Sequence, residues 1–372
     1  MRGIVAGTRR QIGIMSFHVV LFAAACLAWG ESNYYVDPAA RITLADGPDH
    51  ERSGDLDGGM AAWYNSVLGL VYVQDLEDPD SPARPIVTAG KPSRVRISGD
   101  YVVWYDHAQN NHHVYACDIS QPTLTPMRLS SAASSENMLP AVSGNMVVWK
   151  DNRVDPAYSD IWGFDLSDPG RGDFLIVEGI KWGMEYTGRP NPNISGDWLV
   201  WFQEPAMPPE PHMPTCEIKA LDLGDPGAAP ITLDVGYAVG IPHIDGRTVV
   251  YNVSRDWTNW DIAGFDLGDI AAGPFPVSDT GFDETVRDMS GDLVLYGSGE
   301  YPEALRLVDL ADMSEHEIDL GGDAWNYVAL SRDWIMWSQD GDLYANRILP
   351  EPATLGMFAF GALALLRRGR KR

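Results

Sequence analysis

The sequence predicts an all-β protein: a β-propeller of seven four-stranded blades closed by an N-terminal strand, framed by a signal peptide and a short hydrophobic C-terminal helix. Three observations predict it. Between Asp57 and Arg347 one pattern recurs seven times: a small-residue turn, a three-residue apolar step, and an aromatic six positions after the turn begins. The copies run Asp57-Gly58-Gly59 to Trp63, Ser98-Gly99-Asp100 to Trp104, Ser143-Gly144-Asn145 to Trp149, Ser195-Gly196-Asp197 to Trp201, Asp245-Gly246-Arg247 to Tyr251, Ser290-Gly291-Asp292 to Tyr296, and Ser331-Arg332-Asp333 to Trp337. The steps between turns are 41, 45, 52, 50, 45 and 41 residues, a period that fits one propeller blade per repeat. Each copy then carries an apolar strand ending in Asp-Leu or Asp-Ile, at Asp75, Asp118, Asp165, Asp222, Asp266 and Asp309, with Asn346-Arg347-Ile348 as a degenerate last copy. Finally, Met146-Val147-Val148-Trp149 and Trp198-Leu199-Val200-Trp201 are continuously apolar, as strands covered on both faces must be. The count of turns gives seven blades, with six and eight left open.

Taken in order, residues 1–30 hold Arg2, Arg9 and Arg10, no acidic residue, and the apolar run Val19 to Ala28, the pattern of a secretory signal peptide with cleavage after Gly30. Arg41-Ile42-Thr43-Leu44 comes next. It matches Ile231-Thr232-Leu233-Asp234 and supplies the fourth strand that the last repeat lacks, so that no sheet edge is left open in the propeller of residues 41–349. Within each blade the Ser-Gly-Asp step supplies hairpin chemistry, Gly taking positive φ and Asp bonding its own backbone. A short strand follows each Asp-Leu pair, such as Pro85-Ile86-Val87, Met127-Arg128-Leu129 or Ile318-Asp319-Leu320. The chain ends, over 350–372, in Pro350-Glu351-Pro352, fourteen uncharged residues from Ala353 to Leu366, and the basic cluster that begins Arg367-Arg368. The prolines break any regular element. The apolar run can enter a bilayer while the cations stay on the cytoplasmic side, although fourteen residues fall short of the ~20 of an ordinary span.

This tail resembles the PEP-CTERM sorting signal of Gram-negative bacteria, with Pro350, Glu351, Pro352, Arg367 and Arg368 in matching order. The resemblance implies export, transient or permanent membrane attachment at the C-terminus, processing by exosortase, and delivery to the cell surface or exopolysaccharide matrix. A plain C-terminal membrane anchor is the alternative. Thr8-Arg9-Arg10 and Ala24-Ala25-Cys26 are partly similar to twin-arginine and lipoprotein signals and are kept as minor options. The repeats, Lys150-Asp151-Asn152-Arg153 and Ser159-Asp160-Ile161-Trp162 best of all, resemble the TolB-like and WD-repeat-like propellers of bacterial surface proteins. That likeness implies a fold and leaves activity open.

Charge narrows the partners. The chain carries 27 basic and 52 acidic residues. Setting aside the eight basic residues of the two terminal signals, and Glu351, leaves a net charge of about −32 over residues 31–349, which excludes nucleic acid as a natural partner. Cys26 leaves with the signal peptide, and Cys117 and Cys216 fall in different blades, so free thiols are expected.

Ligand binding belongs on loops. Those joining strands two to three, and four to the next blade's first strand, emerge on one face, and there the chain is longest: Asp106 to His113, Asp151 to Asp160, Gln203 to Cys216, Ser254 to Asp261, and Gly179 to Asn193. The candidate ligand face comprises Trp182, Tyr186, Arg189, Trp257, Trp260, Asp151 and Arg153, with the surface glycans of the matrix as candidate partners. Trp257 and Trp260 offer stacking surfaces for a sugar, against the plainer reading of loop packing. Asp151, Arg153, Asp155 and Asp160 offer a carboxylate set, against a solvated ion-pair loop. His107, His112 and His113 lie in one loop and offer metal ligands, but the neighbouring pair cannot easily point the same way, no matching carboxylate is fixed by spacing, and no metal site is assigned. No catalytic residue is assigned and no cofactor is expected; calcium lacks an EF-hand-type loop to hold it. The seven repeated aromatics are read as packing between blades rather than as a sugar platform. The resulting expectation is a non-catalytic binding module of the surface or matrix, with a carbohydrate-active hydrolase or lyase and a structural spacer as alternatives.

Overall fold

Seven antiparallel sheets follow one another along the chain, each strand pairing with the next. The computed structural model describes residues 34–37, 40–46, 51–108, 111–131, 138–153, 158–181, 191–203, 216–236, 238–255, 259–299, 303–321 and 327–350. Blade 1 is built from Glu51–Asp57, Met60–Asn65, Leu70–Asp75 and Arg84–Val87, and blade 2 from Lys91–Ser98, Tyr101–Ala108, Asn111–Asp118 and Met127–Arg128. Blade 3 comprises Met138–Ser143, Met146–Asp151, Tyr158–Asp165 and Phe174–Lys181; blade 4, Asn193–Ser195, Trp198–Gln203, Cys216–Asp222 and Ile231–Gly236. In blade 5 the first strand is split into Ala238–Val239 and His243–Asp245, ahead of Thr248–Ser254, Asp261–Asp266 and Phe275–Ser278. Pro242 lies in the break and has no N–H to give the ladder. Blade 6 is Glu284–Ser290, Leu293–Ser298, Ala304–Asp309 and Ser314–Glu317; blade 7, Tyr327–Ser331, Trp334–Gln339 and Asp342–Pro350. The outer strand of blade 6 thus precedes Ile318-Asp319-Leu320, where the sequence had suggested it.

Closure comes from the N-terminus, as expected, but with more chain than Arg41 to Leu44. Ile42–Ala45 pairs antiparallel with Asp342–Pro350, Ile42 opposite Ala345. Tyr34–Val36 pairs with the same strand, so the propeller unit begins at Tyr34. Asn346 donates through Nδ2 to the Asp37 carbonyl at 2.6 Å, and the Tyr34 hydroxyl donates to Asp309 in blade 6 at 2.9 Å. The first strands of blades 1 to 7 contact one another in sequence, and blade 7 returns to blade 1.

Seven apolar clusters lie between consecutive blades, and each contains one of the repeated aromatics. Trp63, Trp104, Trp149, Trp201, Tyr251, Tyr296 and Trp337 are all buried. Trp149, for example, packs with Val103, Val114 and Ala116 of blade 2. These aromatics are the ring's packing elements.

The small-residue turns do a second task. In six of the seven turns the first residue accepts a hydrogen bond from the next blade's turn: Asp57 from Gly99 N at 2.6 Å, Ser98 from Gly144 N at 3.1 Å, Ser143 from Gly196 N at 2.9 Å, Ser195 from Gly246 N at 2.9 Å, Asp245 from Gly291 N at 2.6 Å and Ser290 from Arg332 N at 2.9 Å. The backbone-capping Asp expected in these turns sits instead in the Asp-Leu pairs, where Asp118 accepts from Ser120 N at 3.0 Å and Asp165 from Ser167 N at 2.8 Å. The Ser120 and Ser167 hydroxyls hold both carboxyls below the usual carboxylate range.

Six turns place Gly at the left-handed position; the seventh places Arg332 there, at φ +43°. A side chain costs about 1 kcal/mol in that conformation. Arg332→Gly is therefore expected to raise the unfolding free energy by up to about 1 kcal/mol, some of the relief being offset by the freer unfolded chain. Urea titration of both proteins measures this, and a loss of stability would mean that the Arg332 side chain is held by contacts that outweigh the strain.

Cys117 and Cys216 are buried in blades 2 and 4 and unbridged, in line with the sequence. Burial pushes the Cys117 thiol up to about 11. Among the described residues no helix is long and apolar enough to cross a membrane. The signal peptide, the C-terminal helix and residues 351–372 lie outside the described residues.

Candidate functional site

A cavity of about 290 Å³ occupies the middle of the ring, lined almost entirely by first strands or the residues leading into them. Blade 2 contributes Arg94 and Arg96, blade 3 Leu139 and Pro140, blade 4 Asn191 and Asn193. Ile241 and His243 of blade 5, Arg287 and Asp288 of blade 6, and Tyr327 of blade 7 complete the wall. These residues lie toward the N-terminal ends of their strands, the end from which the four-to-one and two-to-three connections emerge.

Irregular first strands shape the wall. Their register slips between Glu51 and Gly54, Ser93 and Arg96, Met138 and Ala141, and Val286 and Asp288. Bulges of this kind redirect side chains. Two non-glycine residues in them adopt left-handed backbone, Arg94 at φ +53° and Leu139 at φ +60°, and both line the cavity.

The residues two before each turn make one layer of equivalent positions, Asp55, Arg96, Ala141, Asn193, His243, Asp288 and Ala329, of which Arg96, Asn193, His243 and Asp288 line the cavity. Neighbours in this layer are partnered across blades. Arg96 lies 3.9 Å from Asp55, His243 Nδ1 lies 3.6 Å from Asp288, and Asn193 Nδ2 donates to the Pro242 carbonyl at 3.1 Å. Asp55 also accepts from Ile97 N at 3.0 Å, and Asp288 from Leu330 N at 2.8 Å.

Burial pushes the Asp55 carboxyl up to about 7, with Arg96 pulling it down and Asp288 adding to the rise. The folded value exceeds the unfolded one, so between about pH 4 and 7 the native chain keeps a proton that the unfolded chain has released. The contribution of Asp55 to stability is therefore full at low pH and lost as pH rises through that window. Asp55→Asn should flatten the dependence of unfolding free energy on pH there. An unchanged slope would show that Arg96 keeps Asp55 ionised throughout.

Of the candidate residues singled out from the sequence, those among the described residues do not line this cavity. Trp182, Tyr186, Arg189 and Trp257, with Asp155, Glu351, Pro352, Arg367 and Arg368, lie outside the described residues. Trp260 is half-buried; its N–H donates to Asp283 at 3.0 Å and its carbonyl accepts from Glu284 N at 2.9 Å. Asp151 and Arg153 form a buried ion cluster in blade 3, where a solvated loop had been the plainer expectation. Arg153 Nε donates to Asp151 at 2.8 Å and Nη2 to Asp173 at 2.8 Å, while the guanidinium lies 3.6 Å above the Trp162 ring. Burial pushes Asp173 up, but hydrogen bonds from Ser131 and Arg153 hold it below the usual carboxylate range. Asp160 is Asp151's cross-strand neighbour, but its side chain accepts from Gly179 N at 2.8 Å.

The stretch Asp106 to His113 is strand rather than loop, apart from residues 109–110, which lie outside the described residues. His107 and His112 face each other across the ladder, their ring nitrogens 2.6 Å apart. His113 turns to the opposite face, buried 3.3 Å from the Ser130 hydroxyl. The strand's alternation separates His113 from the other two imidazoles.

What sequence reading missed is the charge of the first strands. Ser93-Arg94-Val95-Arg96 and Val286-Arg287-Asp288 place ionic residues in strands that precede the turns, where burial between blades would disfavour them. That anomaly is the signal of a channel-facing position.

Comparison with known proteins agrees with both halves of the chain. Residues 349–371 match the PEP-CTERM protein-sorting motif. The chain is similar in structure to the β-propeller domain of the Trilobed protease from Pyrococcus furiosus, at 9% identity and a TM-score of 0.60, over 81% of this chain and 97% of that one. It is also similar to a puromycin-hydrolyzing peptidase of Mycobacterium tuberculosis, at 14% identity and a TM-score of 0.54, over 84% of this chain and 55% of that one. TolB from Acinetobacter baumannii matches at 13% identity and a TM-score of 0.46, over 89% and 69%. The chain spans about half the length of the peptidases it resembles, and at these identities the likeness shows the fold. No curated protein sequence matches. The chain is thus a seven-bladed propeller carrying a PEP-CTERM signal, the mark of an exported, surface-directed bacterial protein that is processed by exosortase.

Proposed function

We propose that the protein is a non-catalytic binding module of the cell surface or exopolysaccharide matrix, exported by its signal peptide and held by its tail in the membrane of a Gram-negative host until processing. The observation that carries this reading is the contrast between rim and channel. The blades repeat one another wherever they pack, yet the layer that includes the cavity's Arg96, Asn193, His243 and Asp288 changes its residue at nearly every blade, as a surface that recognises something would. Matrix glycans are the proposed partners.

A hydrolase or lyase is favoured by one feature, the raised carboxyl of Asp55 near Asp288. Both carboxylates, however, are engaged by backbone amides of the next blade, which suits a structural tie.

The test combines intact mass and binding on protein recovered from the native host. The proposal expects loss of about the first 30 residues and of the basic tail, retention on immobilised host polysaccharide, and no release of reducing ends. Turnover of the polysaccharide would replace it with the enzyme reading. An unprocessed tail kept in the membrane would remove the matrix from it.

A further inference from the structure

The cavity's charge opposes that of the protein around it. The body carries about −32, yet Arg94, Arg96 and Arg287 line the cavity against Asp288. Two of these guanidiniums are already matched, Arg96 by Asp55 and Arg287 by a close ion pair with Glu303, while His243 Nδ1 lies 3.6 Å from Asp288. Arg94 is different: it is exposed, and its side chain has no partner among the described residues. It also sits at φ +53° in a bulge, a conformation that costs an arginine about 1–2 kcal/mol. Backbone strain combined with an unmatched guanidinium in a cavity marks a position shaped by a ligand rather than by packing.

The remaining lining indicates what that ligand is. A guanidinium offers a planar fork to an oxyanion, and one unmatched cation balances one negative charge. Around it stand the amides of Asn191 and Asn193 and the hydroxyl of Thr285, with Pro140, Pro192 and Tyr327 as apolar faces. Asn191 Oδ1 is buried without a hydrogen-bond partner among the described residues, an acceptor left for an incoming hydroxyl. Closely set hydroxyl partners, small apolar faces and one cation describe a sugar ring with a single anionic substituent. A volume of about 290 Å³, at the lower end of ligand pockets, suits one such ring.

We propose that the channel mouth binds an acidic saccharide through its monoanionic group, a carboxylate or a sulfate ester, with Arg94 as the gripping residue. The inference rests on the binding-module reading and names its ligand class.

Calorimetric titration of the full-length protein with trigalacturonate, the same trimer methyl-esterified, galactose 6-sulfate and pentaglutamate tests it. Trigalacturonate should bind at least tenfold more tightly than its ester. Arg94→Ala should weaken binding about tenfold or more, and Arg94→Lys by less, since it keeps the charge without the fork. Arg247→Ala, the same charge change at an exposed turn away from the cavity, should change nothing. Tighter, Arg94-dependent binding of galactose 6-sulfate would identify the sulfate ester as the group recognised. Equal binding of acid and ester, equal effects of the two alanine variants, or tighter Arg94-dependent binding of pentaglutamate would overturn the proposal. Arg94-independent binding of the ester leaves the binding-module reading in place while this inference falls; no binding by any probe also overturns the inference, and the binding-module reading falls with it only if the protein is not retained on host polysaccharide either.

Discussion

A chain that begins at Gly47, lacking Tyr34–Val36 and Ile42–Ala45, is expected to lose most of its cooperative stability and to self-associate. Both strands pair with Asp342–Pro350, and without them that strand becomes a nine-residue open edge. An unprotected edge of that length templates pairing with other chains. The apolar loss adds to it. Val36 is buried in the cluster between blades 6 and 7, and Ile42, Leu44 and Ala45 pack on the cluster between blades 7 and 1. At about 1.5–3 kcal/mol for a fully buried aliphatic side chain, and less for the partly buried ones, the deletion removes on the order of 5 kcal/mol, comparable with the whole stability of many domains. Urea denaturation and light scattering of chains beginning at Glu31 and at Gly47 measure both effects. A synthetic peptide of residues 33–46 added in trans should restore the monomer and part of the midpoint. If the shortened chain stays monomeric with an unchanged midpoint, the edge is covered by something other than these strands.

The closing segment also shows how far the sequence could be read. Ile42 to Leu44 was legible because it repeats a strand pattern seen in blade 4 and because blade 7 visibly lacks a strand. Tyr34–Val36 was not, since three residues carry no periodicity; what fixes them is long-range, the Tyr34 hydroxyl on Asp309 and Val36 against blade 6. The same distinction separates scaffold from site. Turns and buried aromatics meet equivalent neighbours in every blade, so the same residue types return at a readable period. The layer two residues before the turns runs Asp55, Arg96, Ala141, Asn193, His243, Asp288, Ala329, and a search for repetition passes over positions that do not repeat. Bulges compound the difficulty. Strict alternation would put the adjacent Leu139 and Pro140 on opposite faces rather than in one cavity; the register slips and the left-handed residues Arg94 and Leu139 reshape the first strands there, and neither is a glycine that would have announced itself. Asp151 and Arg153 misled for the opposite reason: charged residues beside a connection read as solvated, whereas Asp173 and the Trp162 ring enclose them.

The second large effect concerns the aromatics. Trp149→Ala is expected to cost about 3–5 kcal/mol, the range for removing a large aromatic from a core, and Trp104→Ala, Trp201→Ala and Trp337→Ala should cost similar amounts. All four are at most 1% exposed, and each fills a different interface between blades. Trp149 has a further tie, its Nε1 donating to Asp151 at 3.5 Å, a weak bond at that length. Asp151 retains three donors from Arg153 after the substitution, its N, Nε and Nη2, so the ion cluster survives and the cavity is the dominant loss. Trp260→Ala supplies the contrast. That ring is half-buried, and the hydrogen bonds of residue 260 to Asp283 and Glu284 are made by backbone, so its removal should cost about 1 kcal/mol or less. Thermal and urea unfolding of the five variants tests the division directly. If any repeated tryptophan proves as dispensable as Trp260, its interface is carried by neighbours such as Val147 and Phe164, and the repeat's aromatic is a filler rather than a wedge between blades. If all four cost the expected amount, the feature most easily taken from the sequence as a sugar-stacking platform is what holds the ring together, and the search for a ligand belongs in the channel.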